Sequence, residues 1–343
     1  LNNATILTMA HFGARAFDSI GGEVVSTTAF VLEKAQRLEY KGAYLRLVDG
    51  NCEADKEAEL KAKKSEPFHA SAADFKKIPG SPIAYWVSER VRGVFEEARE
   101  LSLIAEPRKG ITTSDNDKYI RNWTEVAFNK VDTNAKAKEG VTDSVKKWFP
   151  VNKGGNFRKW YGNKDNILNW ENNGFELKNY DRAVIRNSSY YFREGMTWND
   201  ISSGKLAMRY SQSGAIFEGK GPMGFARNND ELMNLIGFFN SHVSQTILSF
   251  LCPTLNFNIG EIAKTPILEQ ILEQKQSLIN SHHCIMITKS DWDSYETSWD
   301  FTTLPLLQPE YRQSTLAETY TKLRAHWKEM TLEMQRLEEE NNR

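Results

Sequence analysis

The chain has 343 residues, 40% of them hydrophobic and 26% charged, with a formal net charge of -1. This length leaves room for roughly two domains of about 150 residues each, and near-neutrality excludes holding a polyanion by the field of the whole molecule, so such a ligand needs a local patch. Cys52, Cys252 and Cys284 are far apart and lack C-x-x-C spacing; this argues against a disulfide framework or structural zinc site and for a reducing cytoplasm, and no apolar run reaches the roughly 18 to 20 residues of a membrane span.

Thr5 to Met9 and Glu23 to Leu32 are β-favouring runs separated by a turn-rich segment ending in Gly21-Gly22. They are expected to pair as strands. EVVSTTAFVL is too continuously apolar and β-branched for a one-sided surface strand, so it is expected inside a larger sheet whose remainder lies upstream. Glu53 to Glu66 is a Lys-, Glu- and Ala-rich exposed helix or linker. YWVSERVRGVFEEARELSLI, residues 85 to 104, has helical spacing and is expected to end before Pro107.

From Lys109 to about Ile267 the sequence is rich in aromatics, Gly and Asn, with short elements and long loops, and reads as a second domain. Asp230 is placed to cap a helix carrying Met233, Leu235, Ile236, Phe239, Val243, Ile247 and Phe250, and Leu255, Phe257 and Ile259 alternate like a short strand. In the tail, Leu316, Tyr320, Leu323, Trp327, Met330, Met334 and Leu337 follow a 4-3 spacing behind a Thr315/Glu318 capping box. This is a long amphipathic helix, either packed on its own protein or offered to a partner. The chain has no initiator methionine, and EEENNR continues a helical pattern without a stop signal, so it is expected to be a fragment of something longer.

KWFPVNKGGNFRKWYGN, residues 147 to 163, interleaves Lys147, Lys153, Arg158 and Lys159 with five aromatic rings around Gly154-Gly155 and contains no carboxylate. Cations for phosphates, rings for stacking and glycines for close backbone approach suit a nucleic acid. The alternative is a surface hairpin with rings inward and solvated lysines. Two acidic clusters read as structural: Asp291, Asp293, Glu296 and Asp300 after His282-His283-Cys284 match no metal loop, and Asp115, Asn116 and Asp117 suit a turn into a helix. No P-loop, G-x-G-x-x-G or G-x-S-x-G elbow is present.

Residues 11–32, GITTSDNDKYIRNWTEV at 110–126, KWFPVNKGGNFRKWYGN with NILNWENNG at 147–174, and DWDSYETSWDF at 291–301 resemble the adenine-specific DNA methyltransferases of bacteriophage exclusion (BREX) systems, the PglX family. MTWNDISSGKLAMRYS at 196–211 and PTLNFNIGEIAKTPI at 253–267 extend the likeness. The resemblance implies transfer of a methyl group from S-adenosylmethionine to adenine N6 in double-stranded DNA, with the base flipped out. The glycine-rich cofactor loop and Asn-Pro-Pro-Tyr-type motif that this chemistry needs are absent from the sequence. No catalytic, cofactor-binding or metal residue is therefore assigned, and no cofactor is expected on the fragment alone.

The implied fold is α+β: a mixed, short-stranded target recognition domain with flanking helices and a long amphipathic C-terminal helix. The implied divisions are 1–45, the last strands of a catalytic domain; 46–107, a helical linker region; 108–268, the DNA target recognition domain; and 269–343, a C-terminal helical segment. Within the third, Lys147, Lys153, Arg158 and Lys159 are expected to anchor phosphates and Asn156, Trp160 and Tyr161 to read bases or shape. Two alternatives stay open: the equivalent part of a type I or type IIG restriction-modification methyltransferase, and a non-catalytic assembly module whose C-terminal helix docks other phage-defence proteins. In each case the protein is expected to be cytoplasmic, without membrane contact.

Overall fold

The computed structural model describes residues 3–20, 25–202 and 204–343. It divides into two units, Leu1–Ala98 and Arg99–Arg343. In the first unit, strands β1 (Thr5–Gly13), β2 (Thr27–Glu33), β3 (Gly42–Arg46) and, after helix α1 (Glu53–Lys63), β4 (Phe68–Ala70) form one sheet in the order β2-β1-β3-β4. Helices α2 (Ala72–Lys76) and α3 (Glu89–Glu97) complete it. β1 runs antiparallel to β2, with Thr5 opposite Glu33, and parallel to β3, with Thr8 opposite Ala43. The core joins Ile6, Tyr44, Ala70, Phe75 and Tyr85, with the Tyr44 and Tyr85 rings stacked 4.9 Å apart.

Two expectations for this unit change. The run ending at Leu32 is the edge strand, and Phe30, Val31 and Leu32 are exposed; Glu23 and Val24, like the Gly21-Gly22 turn, lie outside the described residues. β3 and β4 supply the remaining strands within this chain. The helix expected over 85–104 is shorter, because the Ser88 hydroxyl accepts from the Val91 N–H and starts it at Glu89, and extended backbone at Ala98 ends it.

The second unit opens with β5 (Arg99–Glu100), β6 (Glu106–Arg108), α4 (Asn116–Tyr119) and β7 (Ile120–Asn122). It continues through β8 (Trp148–Asn152), β9 (Asn166–Asn169), α5 (Glu171–Lys178), β10 (Gly195–Thr197), β11 (Arg209–Ser211), β12 (Ile216–Phe217) and β13 (Met223–Phe225). Then come α6 (Asn229–Phe239), α7 (His242–Leu251), α8 (Ile259–Ile262), β14 (Pro266–Ile267), α9 (Glu269–Leu272), α10 (Lys275–Asp293) and α11 (Leu316–Asn341). Two four-stranded sheets, β11-β10-β13-β6 and β12-β8-β9-β7, share one aromatic core, and β14 pairs with β5. The Tyr191 ring meets Trp170 and Phe217 edge-on at 5.3 and 5.4 Å. All five residues of β8, WFPVN, are buried, which is why the strand shows no alternation. Its ladder with β12 begins at Val151, one residue past Pro150, where backbone N–H groups resume.

The expected single helix over Asp230 to Phe250 is two. The Asn228 side chain, not Asp230, caps α6 by accepting from the Glu231 N–H at 2.9 Å, and the Ser241 hydroxyl accepts from the Ser244 N–H to start α7 anew. The strand expected at Leu255 to Ile259 reduces to one bridge between Ile201 and Asn256, with Ile259 opening α8. Cys252 and Cys284 are free and buried, and burial pushes each thiol up to about 12.

Thr315 and Glu318 form the expected reciprocal capping box on α11. The apolar stripe of this helix is only partly covered: Leu323 and Leu337 are 1% exposed, whereas Leu316 is 72% exposed and Tyr320 and Trp327 also face outward. Leu323→Ala should therefore lower the unfolding free energy of this chain by about 2 to 5 kcal/mol, and Leu316→Ala should stay within about 0.5 kcal/mol of the parent, as read by urea melts.

Candidate nucleic-acid interface

β8 leads straight into the 153–163 loop, whose geometry is fixed from behind. Gly154 and Gly155 have φ of +96° and +136°, and a Cβ on either would lie 3.0 Å from the Lys220 carbonyl or the Asn163 side chain. The Asn199 amide donates to the Gly155 carbonyl at 2.6 Å, and the buried Arg209 guanidinium donates to the Asn199 side-chain oxygen at 2.9 Å and the Arg158 carbonyl at 3.3 Å. The Asn163 amide donates to the Asn156 carbonyl at 2.8 Å. Burial, with a smaller contribution from Arg158, lowers Arg209 to about 10, still cationic at neutral pH.

The aromatic half of the candidate site is core. Trp160 and Tyr161 are each 1% exposed, so neither presents a ring face on which a base can stack. Trp160 sits at φ +67°, a conformation a bulky side chain adopts only when its surroundings dictate it. Here its N–H donates to the Met208 carbonyl, its carbonyl accepts from Tyr210, and its indole donates to Glu338 Oε1 at 2.7 Å. Residue types alone could not separate these rings from Phe157, which is exposed.

The cations divide as well. Lys159 donates to Glu338 Oε2 on α11 at 3.0 Å and is occupied internally. Arg158 lies with its guanidinium carbon 4.9 Å from the Trp292 ring centre and its Nη1 3.8 Å from Asp291 Oδ2, while staying partly exposed. Lys147 faces Glu171 at 3.5 Å across a half-exposed surface. Lys153 makes no ion pair within 4 Å among the described residues, and Asn156 is exposed. Lys147, Lys153, Asn156 and Arg158 thus remain accessible.

Sequence reading missed what flanks this loop. The Gly219-Lys220-Gly221 turn abuts Gly154, and a Cβ on Gly221 would come 2.8 Å from the Gly154 nitrogen. The same turn lies beside Lys109, whose Cε would be 3.2 Å from a Cβ on Gly219. Arg186 donates to Thr112 Oγ1 in the adjoining segment at 3.1 Å. These four cations, Lys109, Arg186, Lys153 and Lys220, come from distant parts of the sequence, so only the fold gathers them.

The acidic clusters do structural tasks. Asp115 Oδ1 accepts from the Lys118 N–H at 3.0 Å and caps α4, and Asp293 accepts from Ser298 Oγ at 2.7 Å and pairs with Lys289. Among the described residues, no group of three or more His, Cys, Asp or Glu side chains converges as a metal site.

Lys164, just past the loop, is 9% exposed with its ammonium 4.3 Å from the centre of the Tyr161 ring. Burial, reinforced by the neighbouring Lys289 charge, lowers it from 10.5 to about 7, against the pull of Asp300 and Asp293. The same burial, with the charges of Asp293 and Asp300, holds the Tyr161 hydroxyl well above its ordinary value.

No family model matches the chain. It is 40% identical over 319 residues to the adenine-specific methyltransferase PglX of Lacticaseibacillus casei (strain Zhang), covering 88% of this chain and 26% of that protein. It is likewise 40% identical over 311 residues to the adenine-specific methyltransferase BrxX of Escherichia coli (strain HS), covering 90% of this chain and 25% of that one. The chain belongs to the PglX family. It spans about a quarter of the length of these curated relatives. Among solved structures, the type IIL restriction-modification enzyme MmeI in complex with DNA aligns over 94% of this chain and 42% of its own, with 10% identity and a TM-score of 0.42. The type IIG restriction endonuclease BpuSI aligns over 99% of this chain and 45% of its own, with 10% identity and a TM-score of 0.33.

The family segment carries one pH-dependent device in Lys164. Because its folded-state value lies below its unfolded one, the unfolded chain binds the extra proton between about 7 and 10.5. Its contribution to stability should be full above that window and decline as pH falls through it, flattening below about 7. Urea midpoints of the parent should therefore rise from pH 7 to pH 10 relative to Lys164→Met, with other groups common to both chains cancelling.

Proposed function

We propose that this chain is the DNA target recognition portion of a site-specific, S-adenosylmethionine-dependent adenine-N6 DNA methyltransferase acting in BREX phage defence. The observation that carries the reading is the 40% identity to proteins named adenine-specific methyltransferases, running along about nine tenths of the chain. The loop after β8 supports it physically: a backbone locked by Asn199 and Arg209 displays Lys153, Asn156 and Arg158 outward, and Lys147 lies partly exposed just before the strand. A pre-set loop loses little freedom on binding, and its cations neutralise phosphates while Asn156 reaches a base edge.

Methyl transfer belongs, in this reading, to residues outside the segment. The cofactor would supply the electrophilic methyl group there, and this chain's own residues grip and orient the duplex. Alone, the segment binds DNA without methylating it. The exposed half of the α11 stripe, Leu316, Tyr320 and Trp327, favours a second role in docking other phage-defence proteins.

Fluorescence-anisotropy titrations of the full-length protein at several salt concentrations test the reading. Lys153→Ala and Lys147→Ala should each weaken binding to all duplexes and flatten the slope of log K against log salt by about 0.9. Lys159→Ala should leave the slope unchanged, because that ammonium is held by Glu338. Asn156→Ala should reduce discrimination between sites by about 1 to 3 kcal/mol with little change in slope. Unaltered affinity and slope in both Lys153 and Lys147 variants would place the DNA path elsewhere.

A further inference from the structure

Lys109, Thr112 and Arg186 are brought together by three backbones that lie side by side. The Thr112 N–H donates to the Val184 carbonyl at 3.0 Å and its carbonyl accepts from the Val184 N–H at 2.8 Å. On the other side, the Ile111 N–H donates to the Phe217 carbonyl at 3.0 Å, and the Gly219 N–H donates to the Ile111 carbonyl at 2.9 Å. A Cβ on Gly110 would stand 1.8 Å from the Phe217 carbonyl oxygen, so this approach requires glycine. The Asn187 amide donates to the Lys109 carbonyl and the Tyr191 hydroxyl to the Arg186 carbonyl, each at 2.9 Å, which fixes the backbone at both cations.

The side chains converge as the backbones do. Arg186 Nη1 donates to Thr112 Oγ1 at 3.1 Å. A Cβ on Gly219 would lie 3.5 Å from that Oγ1 and 3.2 Å from Lys109 Cε, so the hydroxyl and the lysine stem flank the same position. Lys109 and Arg186 are exposed and Thr112 is partly so. Among the described residues neither cation makes an ion pair within 4 Å, whereas the flanking Arg108 and Lys220 pair with Glu106 and Asp200. Two unpaired cations held close together repel each other, and an anion between them turns that repulsion into attraction. Thr112 Oγ1, having accepted from Arg186, keeps its own O–H to donate, and the guanidinium keeps its remaining N–H groups. A phosphodiester, whose two free oxygens share one charge, matches an ammonium, a guanidinium and a hydroxyl presented together.

Resting on the DNA-recognition reading above, we propose that Lys109, Thr112 and Arg186 together grip a single phosphate of the DNA backbone, a contact separate from the loop after β8. The clamp carries no sequence information; it fixes the position of the duplex for the groups that do.

Salt-titrated anisotropy of the full-length protein on duplex DNA tests the sharing, with melting temperatures confirming that each variant is folded. Each neutralised phosphate contributes about 0.9 to the slope of log K against log salt. With one phosphate gripped twice, Lys109→Ala and Arg186→Ala should each flatten the slope by well under that amount, and the double variant by about 0.9. Replacing the duplex phosphates one at a time by neutral methylphosphonate should find one position where the parent loses affinity and the double variant does not. A double-variant slope flattened by about 1.8 would put the two cations on separate phosphates, and an unchanged slope would remove them from the interface. Either result overturns the clamp and leaves the DNA-recognition reading standing. If the parent protein shows no salt-dependent binding to any duplex, the reading itself falls and the clamp with it.

Discussion

One carboxylate organises the candidate interface. Glu338, near the end of α11, accepts from the Trp160 indole at 2.7 Å and the Lys159 ammonium at 3.0 Å, joining two consecutive residues of the loop to a helix almost 180 residues further along the chain. A buried indole N–H left without an acceptor costs about 1 to 3 kcal/mol, so this contact constrains both elements. It also explains how Trp160 can hold a left-handed backbone conformation. Once Trp160 is pinned inward, the chain reverses around it, and Lys153, Asn156 and Phe157 are left on the outside.

The same constraint sorts an ambiguous sequence into two faces. Inward are Trp160, Tyr161 and Lys164, with the Tyr161 ring beside two ammonium groups. Outward are cations that the chain's near-neutral total would never suggest, concentrated where the glycine turns at 154–155 and 219–221 meet. Local concentration of charge, rather than net charge, sets the potential that a polyanion meets at close range, because charges beyond about 8 to 10 Å are screened at physiological salt. The C-terminal helices are therefore part of the candidate site's architecture, although they contribute no outward cation to it.

Features decided by local chemistry were legible in the sequence. The Thr315/Glu318 capping box and the Asp115 turn into a helix depend on residues three or fewer apart, and both form as expected. The short elements and long loops followed from the Gly- and Asn-rich composition of residues 109–267, whereas the α+β class was what the family resemblance implied. The division at Ser241 was not legible, because the apolar spacing continues across it while a hydroxyl cap overrides the pattern. Nor could composition separate Trp160 from Phe157: both flank cations, and only the distant Glu338 and Met208 decide which is buried. Lys109, Arg186 and Lys220 were passed over because each looks solvated in its own neighbourhood, and their meeting is a product of strand order.

We infer that the pinned loop and its neighbouring glycine turn form one duplex-facing surface. Hydrogen–deuterium exchange of the full-length protein, with and without duplex DNA, addresses it most directly. Added DNA should slow exchange together at residues 153–158 and 218–221, leaving β2 at residues 27–33 unchanged. Protection confined to other segments, with both turns unaffected, would contradict the account.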